Sequence, residues 1–317
     1  MASATHDSRL QADAREGEGK RALITGLRGF TGYYVACELE AAGYRVFGTA
    51  MPGAETGPDV FAVDLCDRSA LGAMVGQVQP DVVVHLAGIA FVAHSDVEQI
   101  YRVNVVGTRN LLEALAAARH RASAVLLASS ANIYGNANVP VIDEAVAPAP
   151  ANDYAVSKLA MEYMARLWMD KLPIIIARPF NYTGQGQAEN FLLPKIVGHF
   201  RRRERRIELG NLAIARDFSD VRMVARSYRR LLAAAPEGET FNVCSGRSNS
   251  LAEVIDLCSE IAGYRIDVQV NPAFVRANDV LTLSGSNEKL ARVIGPLEPP
   301  SLLETLRWMI EGVPSTC

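Results

Sequence analysis

The chain has 317 residues, of which 49% are hydrophobic and 21% charged, so it is long enough for one large domain or two closely packed ones. A formal net charge of −3 argues against nucleic acid or a membrane surface as the main partner, and no apolar run approaches the ~18 residues of a membrane helix. The five cysteines are scattered, odd in number and without metal-ligand spacing, which favours reduced thiols in a cytoplasmic protein and predicts no metal site. Residues 1–19 are polar, small and charged, and we expect a disordered tail there.

A glycine-rich turn follows the first predicted strand, Lys20–Thr25. Gly26, Gly29 and Gly32 come next, and a helical pattern continues through Ala42. In a strand–turn–helix unit such glycines permit a tight turn, a close approach of a pyrophosphate and close packing of helix on strand. The phosphates then lie at the helix N-terminus. The spacing is Gly-x-x-Gly-x-x-Gly and not the commonest Gly-x-Gly-x-x-Gly fingerprint, so a plain glycine-rich turn stays open on this motif alone.

The end of the second predicted strand, Tyr44–Ala50, bears on the choice of dinucleotide. NAD-binding folds usually place an acidic residue there for the ribose hydroxyl, but Thr49, Ala50 and Met51 occupy this stretch. Arg28, inside the glycine turn, offers a guanidinium that suits a phosphate. Both features favour NADP(H) over NAD(H), unless Arg28 is only a solvated turn residue.

Strand and helix patterns alternate through the rest of the first half, which predicts an α/β fold with a Rossmann-type doubly wound parallel sheet. The remaining predicted elements are strands at Asp59–Val63, Asp81–Leu86 and Ala124–Ala128 and helices at Arg68–Gln79, Asn104–Arg119 and Ser157–Asp170. Ligands of such sheets bind beyond the carboxyl ends of the strands. Gly26, Asp64, Ala87 and Ser130 all follow predicted strand ends, so we expect them at one crevice.

Tyr154 and Lys158 are four residues apart, which places a phenol and an ammonium on one face of a helix, with β-carbons about 5–6 Å apart. A nearby lysine cation favours the phenolate and lowers a tyrosine pKa from its usual value of about 10. Upstream, Ser130 could hydrogen-bond a substrate oxygen beside that phenol. The paired serines 129 and 130 could also merely cap a turn.

Taken together, the motifs resemble those of the extended short-chain dehydrogenase/reductases, a superfamily that acts largely on nucleotide sugars. They are Thr25–Gly32, Asp64–Leu65, His85–Gly88, Asn104–Thr108, Ser129–Gly135 and Tyr154–Lys158. The resemblance implies that Tyr154 transfers the proton, that Lys158 holds the nicotinamide ribose and that Ser130 is the active-site hydroxyl. The positions expected to contact the cofactor are Gly26, Arg28, Gly29, Phe30, Gly32, Asp64, Leu65, Leu86, Ala87, Gly88, Asn104, Ala128, Tyr154, Lys158 and Pro179.

The second half is most similar to GDP-4-keto-6-deoxy-D-mannose reductases, which form GDP-D-rhamnose, and equally to GDP-6-deoxy-D-talose synthases. The similarity rests on Arg178–Gln187, Gly210–Arg222, Phe241–Gly246 and Arg276–Asp279. Two departures are Tyr182, where the pattern often has His, and Gln185, where it usually has Pro. The resemblance implies substrate contacts by Ser130, Asn181, Lys195, Arg216 and Arg276.

Three other functions need weighing. The 4,6-dehydratases of this superfamily carry acidic residues after the serine, whereas this chain has Ala131 and Asn132, so dehydration is not expected. An NAD-dependent nucleotide-sugar epimerase can share the Ser130, Tyr154 and Lys158 set and remains the nearest alternative. A non-catalytic dinucleotide sensor is the alternative of a different class, although such proteins typically lose the Tyr or the Lys.

We expect an NADP-binding Rossmann domain at residues 20–180 and a smaller C-terminal α/β substrate-binding domain at residues 181–317, with residues 211–245 partly returning to the large domain. The helices predicted at Asn104–Arg119 and Ser157–Asp170 lie together in relatives that dimerise through a four-helix bundle, so the resemblance implies a homodimer. The basic run 201–206 is interpreted as a solvated helix end.

Overall fold

The computed structural model describes residues 16–54, 56–90, 96–212, 214–274 and 282–312. Its strands are β1 (Arg21–Thr25), β2 (Arg45–Ala50), β3 (Val60–Ala62), β4 (Val82–His85), β5 (Ala124–Ala128), β6 (Ile174–Pro179), β7 (Asn181–Thr183), β8 (Arg206–Leu209), β9 (Ala215–Asp220), β10 (Thr240–Val243), β11 (Ser248–Ser250), β12 (Asp267–Val270) and β13 (Thr282–Leu283). The α-helices are α1 (Phe30–Ala41), α2 (Arg68–Val78), α3 (Val97–Tyr101), α4 (Thr108–Ala117), α5 (Asp153–Arg166), α6 (Leu192–Arg201), α7 (Val221–Ala234), α8 (Leu251–Ala262), α9 (Glu288–Ile294) and α10 (Leu302–Glu311).

Seven strands form one sheet in the order β10-β6-β5-β4-β1-β2-β3, and every neighbouring pair is parallel. The strand order reverses between β1 and β4, which is the switch point where ligands of doubly wound sheets bind. The predicted Rossmann-type parallel sheet is confirmed.

Both faces of this sheet are covered, as a parallel sheet requires. Successive residues of β1 point to opposite sides: Ile24 packs in one core with α1 and α7, and Leu23 packs in the other with α2, α4 and α5. All four residues of β4 are buried. The apolar run in the sequence is therefore the signature of a strand between two helix layers.

The helix predicted at Asn104–Arg119 begins earlier and is not uniform. It starts at Val97, where the Asp96 carboxylate caps α3 by accepting from the Gln99 N–H. It then widens into a π-helix over Arg102–Gly107 before α4 begins. Widened turns of this kind are frequent at functional sites. The prediction missed the start because the start is set by one cap rather than by an apolar repeat.

The second half adds a small sheet in which β9 pairs with β7, β11 and β13, and a separate β8–β12 pair. Helices α6, α8 and α10 share a core with these strands. After β9 the chain returns to the large sheet, because α7 packs on α1 and β10 pairs with β6. The limits of the two domains stay a prediction.

The described cysteines differ from the expectation in one case. Cys66, Cys244 and Cys258 are free thiols, but Cys37 on α1 is disulfide-bonded, so the expectation of reduced thiols is wrong for that residue. Scattered spacing did not reveal the bond because a disulfide depends on proximity in the fold, not in the sequence. Within the described ranges, no helix is long and apolar enough to cross a bilayer.

Candidate active site

Helix α5 carries both residues of the predicted proton-transfer pair. The Asn152 side chain caps its first turn by accepting from the Ala155 N–H at 2.9 Å. Tyr154, Lys158 and Glu162 then occupy successive turns of one buried face, with 7%, 8% and 1% exposure. Tyr154 and Lys158 thus lie on one face of a helix, as their i, i+4 spacing predicted.

Ser130 lies near Tyr154, close enough for its hydroxyl to act on the pKa of the phenol. Ser130 also caps the 3₁₀ turn Ala131–Tyr134, because its Oγ accepts from the Asn132 N–H at 3.2 Å and from Asn132 Nδ2 at 3.1 Å. The two interpretations of this serine are therefore compatible: it caps a turn and also lies near the phenol.

The protonation of the pair differs from what the spacing alone predicts. Burial raises the pKa of Tyr154 to about 12, with the nearby Ser130 hydroxyl acting in the opposite direction. Burial also lowers the pKa of Lys158 to about 8. The expected lowering of the Tyr154 pKa by the lysine cation is wrong for this structure, because removal from water disfavours the phenolate more strongly. The Lys158 ammonium donates instead to the Ala128 carbonyl at 2.9 Å.

Asn104, in the widened helical turn, ties the loop after β4 to α5. Its Nδ2 donates to the Ile89 carbonyl at 3.1 Å and to Ser157 Oγ at 3.0 Å, and its Oδ1 accepts from the Ile89 N–H at 2.8 Å. A side chain at Gly88 would lie 2.8 Å from Asn104 Oδ1 and 3.5 Å from Lys158 Nζ. Gly88, Asn104 and Lys158, three of the predicted cofactor positions, therefore lie next to one another.

His85 holds the same loop from the other side. Its Nε2 lies 2.8 Å from Thr108 Oγ1, which donates its own proton to the Asn104 carbonyl at 2.7 Å. Nε2 is therefore the protonated nitrogen, and Nδ1 accepts from Thr25 Oγ1 at 2.7 Å. Thr25 Oγ1 in turn accepts from the Leu86 and Ala87 N–H groups, both at 3.2 Å. Burial, followed by the Lys158 cation, lowers the pKa of His85 to about 3, so the ring is neutral.

The glycine turn adopts the geometry that its sequence predicts. Gly26 has φ +74°, and a β-carbon there would lie 3.0 Å from the Ala87 nitrogen. A β-carbon at Gly32 would lie 2.4 Å from the Gly26 carbonyl oxygen, so α1 can approach β1 this closely only with glycine. Gly29 precedes the first residue of α1 and is exposed together with Arg28. The N-terminus of α1 is thus open to an anion.

The other predicted cofactor positions lie along the same edge of the sheet. Asp64 is exposed after β3 and its Oδ1 accepts from the Cys66 N–H at 2.8 Å. Leu65 is buried against Gly107, where a β-carbon would lie 2.8 Å away. Pro179 is buried at the end of β6.

Two of the predicted substrate residues lie on one face of the small sheet. Asn181 pairs with Phe218 across β7 and β9, and Arg216 is two residues from Phe218, so both side chains leave the sheet on the same side. Lys195 lies elsewhere, donating to the Glu208 carbonyl at 2.8 Å with its ammonium 4.4 Å from the Phe274 ring centre. Arg276 lies outside the described residues.

Sequence reasoning missed two features of the site. Tyr182 bridges to the glycine turn: its ring stacks on Phe30, and its hydroxyl lies 2.8 Å from Thr31 Oγ1. Glu162 forms a buried ion pair with Arg178, one helical turn beyond Lys158. The continuation of the Tyr154–Lys158 spacing by another four residues was the available signal for Glu162.

Comparison with known proteins shows which family the chain belongs to. Residues 22–244 match the NAD dependent epimerase/dehydratase family. The chain is 34% identical over 274 residues to a GDP-6-deoxy-D-talose 4-dehydrogenase from Aggregatibacter actinomycetemcomitans, covering 86% of this chain and 90% of the relative. It is 33% identical over 300 residues to a GDP-6-deoxy-D-mannose reductase from Pseudomonas aeruginosa, covering 91% and 95%.

Solved structures agree with these relatives. A proposed epimerase from Burkholderia cenocepacia superposes with a TM-score of 0.88 at 57% identity, covering 93% of this chain and 98% of that one. The structure of RMD from Pseudomonas aeruginosa complexed with NADPH gives a TM-score of 0.81 at 31% identity, covering 92% and 98%. The chain therefore belongs to the NAD-dependent epimerase/dehydratase family, the extended short-chain dehydrogenase/reductases that its motifs predicted.

Proposed function

We propose that this protein is an NADPH-dependent reductase that converts the 4-keto group of GDP-4-keto-6-deoxy-D-mannose to the alcohol of a GDP-6-deoxyhexose. The observation that carries the proposal is that Ser130 lies close enough to Tyr154 to act on the pKa of its phenol, with Lys158 one helical turn away, at the carboxyl edge of the parallel sheet. The names of the two similar enzymes, a GDP-6-deoxy-D-mannose reductase and a GDP-6-deoxy-D-talose 4-dehydrogenase, support the substrate class.

The protonation of the site favours work in the reductive direction. NADPH, when bound, supplies the hydride that carbon 4 accepts. Because the pKa of Tyr154 is about 12, the phenol holds its proton at neutral pH and can donate it to the oxygen as the carbonyl becomes an alkoxide. Ser130 hydrogen-bonds that oxygen, and the Lys158 ammonium stabilises the phenolate left behind. Ketone, hydride and proton together give the secondary alcohol.

The glycine turn, the N-terminus of α1 and the end of β2 together fit a dinucleotide. The open first turn of α1 offers N–H donors to the pyrophosphate, and Gly26 and Gly32 keep side chains out of its path. The end of β2 carries no acid for a ribose hydroxyl, and exposed Arg28 can meet a 2′-phosphate. The NADPH complex of the Pseudomonas aeruginosa protein supports the same choice, with NAD(H) as the second candidate.

For the substrate diphosphate we propose Arg216 and Asn181, whose side chains share a face of the small sheet, together with Arg276. We also propose Lys195, away from this face, as a contact to the nucleotide part of the substrate, because the Glu208 carbonyl occupies only one of the three N–H donors of its ammonium.

A homodimer is also proposed, through a four-helix bundle built from α5 and the helix of residues 97–117. Exposed apolar side chains along these helices support it, namely Val97, Val106, Val156, Tyr163 and Leu167. A cytoplasmic location remains a proposal on sequence grounds.

The test is incubation of the purified protein with NADPH and GDP-4-keto-6-deoxy-D-mannose. We expect loss of nicotinamide absorbance in step with loss of the ketone, and NMR of the product distinguishes rhamnose from talose. No loss of absorbance would overturn the reductase proposal.

A nucleotide-sugar epimerase is the second candidate, favoured by the 57% identity to the proposed epimerase from Burkholderia cenocepacia. An epimerase inverts a carbon with no net consumption of cofactor. Interconversion of two GDP-sugars at constant nicotinamide absorbance would therefore support it.

A further inference from the structure

A buried ion pair lies directly behind the residues proposed to react. Glu162 follows Lys158 by one turn of α5, and its Oε1 accepts from Arg178 Nε at 2.9 Å while its Oε2 accepts from Arg178 Nη2 at 2.7 Å. The side chains are 1% and 5% exposed. Burying two charges costs several kcal/mol per ion, and a well-packed apolar pair is often as stable. Stability alone is therefore a poor explanation for this pair.

Glu162 and Arg178 each form a hydrogen bond to one end of the turn that carries Ser130. Ser129 Oγ donates to Glu162 Oε1 at 2.5 Å, immediately before the proposed catalytic serine. Arg178 Nη1 donates to the hydroxyl of Tyr134 at 2.8 Å. Tyr134 is the last residue of the 3₁₀ turn that follows Ser130. The turn is thus fastened to α5 before Ser130 and to β6 after it.

The network continues into the returning segment of the second half. The Tyr134 hydroxyl donates to Asn242 Oδ1 on β10 at 2.8 Å. Asn242 in turn donates its N–H to Glu144 Oε1 at 2.7 Å and its Nδ2 to the Ile142 carbonyl at 3.0 Å. One connected set of polar groups, buried except for Glu144, therefore fixes the helix, the serine turn and strand β10 relative to one another.

We propose that Glu162 and Arg178 are positioning residues: they hold the Ser130 hydroxyl against the Tyr154 phenol, and the Glu162 carboxylate keeps the neighbouring Lys158 amine protonated. The inference rests on the proposed function only in taking Ser130, Tyr154 and Lys158 as the reacting set. Tyr154 and Ser130 act on substrate, whereas Glu162 acts through Lys158 and Ser129.

The charges around Lys158 support the claim that the Glu162 carboxylate keeps its amine protonated. On its own helix, Tyr154 lies one turn before Lys158 and Glu162 lies one turn after it. The ammonium donates to the Ala128 carbonyl of β5, and the neutral ring of His85 on β4 is near enough to respond to its charge. Burial lowers the pKa of Lys158 and Glu162 raises it. Arg178, Tyr134 and Glu144 belong to the same network on the far side of Glu162. Loss of the Glu162 charge should therefore lower the proton affinity of Lys158.

The direct test is NMR titration of protein labelled with ¹³C at the lysine ε-carbon. The other lysines are Lys20, Lys171, Lys195 and Lys289, so Lys158→Met assigns the Lys158 signal by its disappearance. In Glu162→Gln we expect the proton affinity of Lys158 to fall about tenfold or more, the effect of removing a nearby opposite charge. The alkaline limb of the pH–kcat profile should move to lower pH with it.

Two further variants keep this test decisive. Glu162→Gln leaves the Arg178 charge unpaired and can unfold the chain, so the double variant Glu162→Gln with Arg178→Met removes both charges and keeps the volume. Glu144→Gln is the matched control, because it removes a carboxylate from the same network that faces Tyr134 rather than Lys158. An unchanged Lys158 titration in a folded Glu162 variant would overturn the proposal, as would an equal change in Glu144→Gln.

The claim that the network holds Ser130 in place is tested with Ser129→Ala. This variant keeps the charges of Glu162 and Arg178 and removes one of the hydrogen bonds that anchor the turn carrying Ser130. We expect an unchanged Lys158 titration, a kcat lowered about tenfold or more and little change in KM, because small misplacements of a reacting group are costly. An unchanged kcat would contradict positioning by this bond. The lysine titration needs neither substrate nor cofactor, so it can succeed even where the reductase assay fails, and the two failures are distinguishable.

Discussion

The ring of Tyr182 stacks on the ring of Phe30, with centroids 6.1 Å apart and planes 12° from parallel. Phe30 opens the helix after the glycine turn, whereas Tyr182 lies on β7 just beyond the end of β6. The Tyr182 hydroxyl also lies 2.8 Å from Thr31 Oγ1. Burial is the largest cause of the raised pKa of Tyr154, and Tyr182 raises it further by a smaller amount, whereas Ser130 lowers it. A residue that departs from the subfamily pattern thus joins the proposed phosphate site to the proposed proton donor.

Tyr182→Ala removes this stack, and we expect NADPH to bind about two- to tenfold more weakly, in line with roughly 0.5–1.5 kcal/mol for an aromatic pair. Tyr182→Phe is the control, because it keeps the ring and loses only the bond to Thr31. Quenching of nicotinamide fluorescence measures both affinities. Equal weakening in the two variants would show that the hydroxyl, not the stack, matters.

Arg28→Ala should separate the two dinucleotides. If the guanidinium meets the 2′-phosphate, the variant loses about tenfold or more in NADPH affinity, since hydrogen bonds to charged groups contribute roughly 1.5–3 kcal/mol. NADH affinity should stay the same. Arg121→Ala, on the exposed surface, controls for the loss of a positive charge. Parallel losses for both cofactors would contradict the assigned role of Arg28.

His85 predicts a specific sensitivity to acid. Its pKa is about 3 in the fold and about 6.5 in an unfolded chain, so between these values the unfolded state binds the extra proton. Stability should therefore fall as the pH drops from about 6.5 towards 3, by about 1.4 kcal/mol per pH unit from this group. His85→Gln should remove that component, as measured by urea unfolding at several pH values. An unchanged slope would mean that the ring is not held neutral.

Leu167 tests the proposed dimer. It follows α5, is 75% exposed and lies near exposed Tyr163. Leu167→Lys should convert a dimer to a monomer in light scattering coupled to size exclusion, because a charge would be buried in an apolar interface. Val141→Lys, at an exposed valine away from these helices, should leave the dimer intact. A wild-type monomer, or a dimer that survives the Leu167 change, would contradict the interface.

The sequence predicted those features that arise from local pattern. The parallel sheet followed from the alternation of strand and helix, and the shared face of Tyr154 and Lys158 followed from helical spacing. The raised pKa of Tyr154 could not be predicted, because it depends on burial by distant segments. The Tyr182–Phe30 stack and the Glu162–Arg178 pair join residues that are far apart in the chain and become neighbours only through the fold.

The most direct test of the central claim follows the hydride itself. The protein is incubated with GDP-4-keto-6-deoxy-D-mannose and NADPH deuterated at nicotinamide carbon 4, once for each face, and the sugar is read by NMR. We predict one deuterium at sugar carbon 4 for each NADPH consumed with one of the two labels. In Tyr154→Phe we expect turnover to fall about 10²–10⁴-fold while NADPH still binds, since the variant lacks the proton donor. A sugar product without deuterium at carbon 4, or near-normal turnover in Tyr154→Phe, would contradict the account.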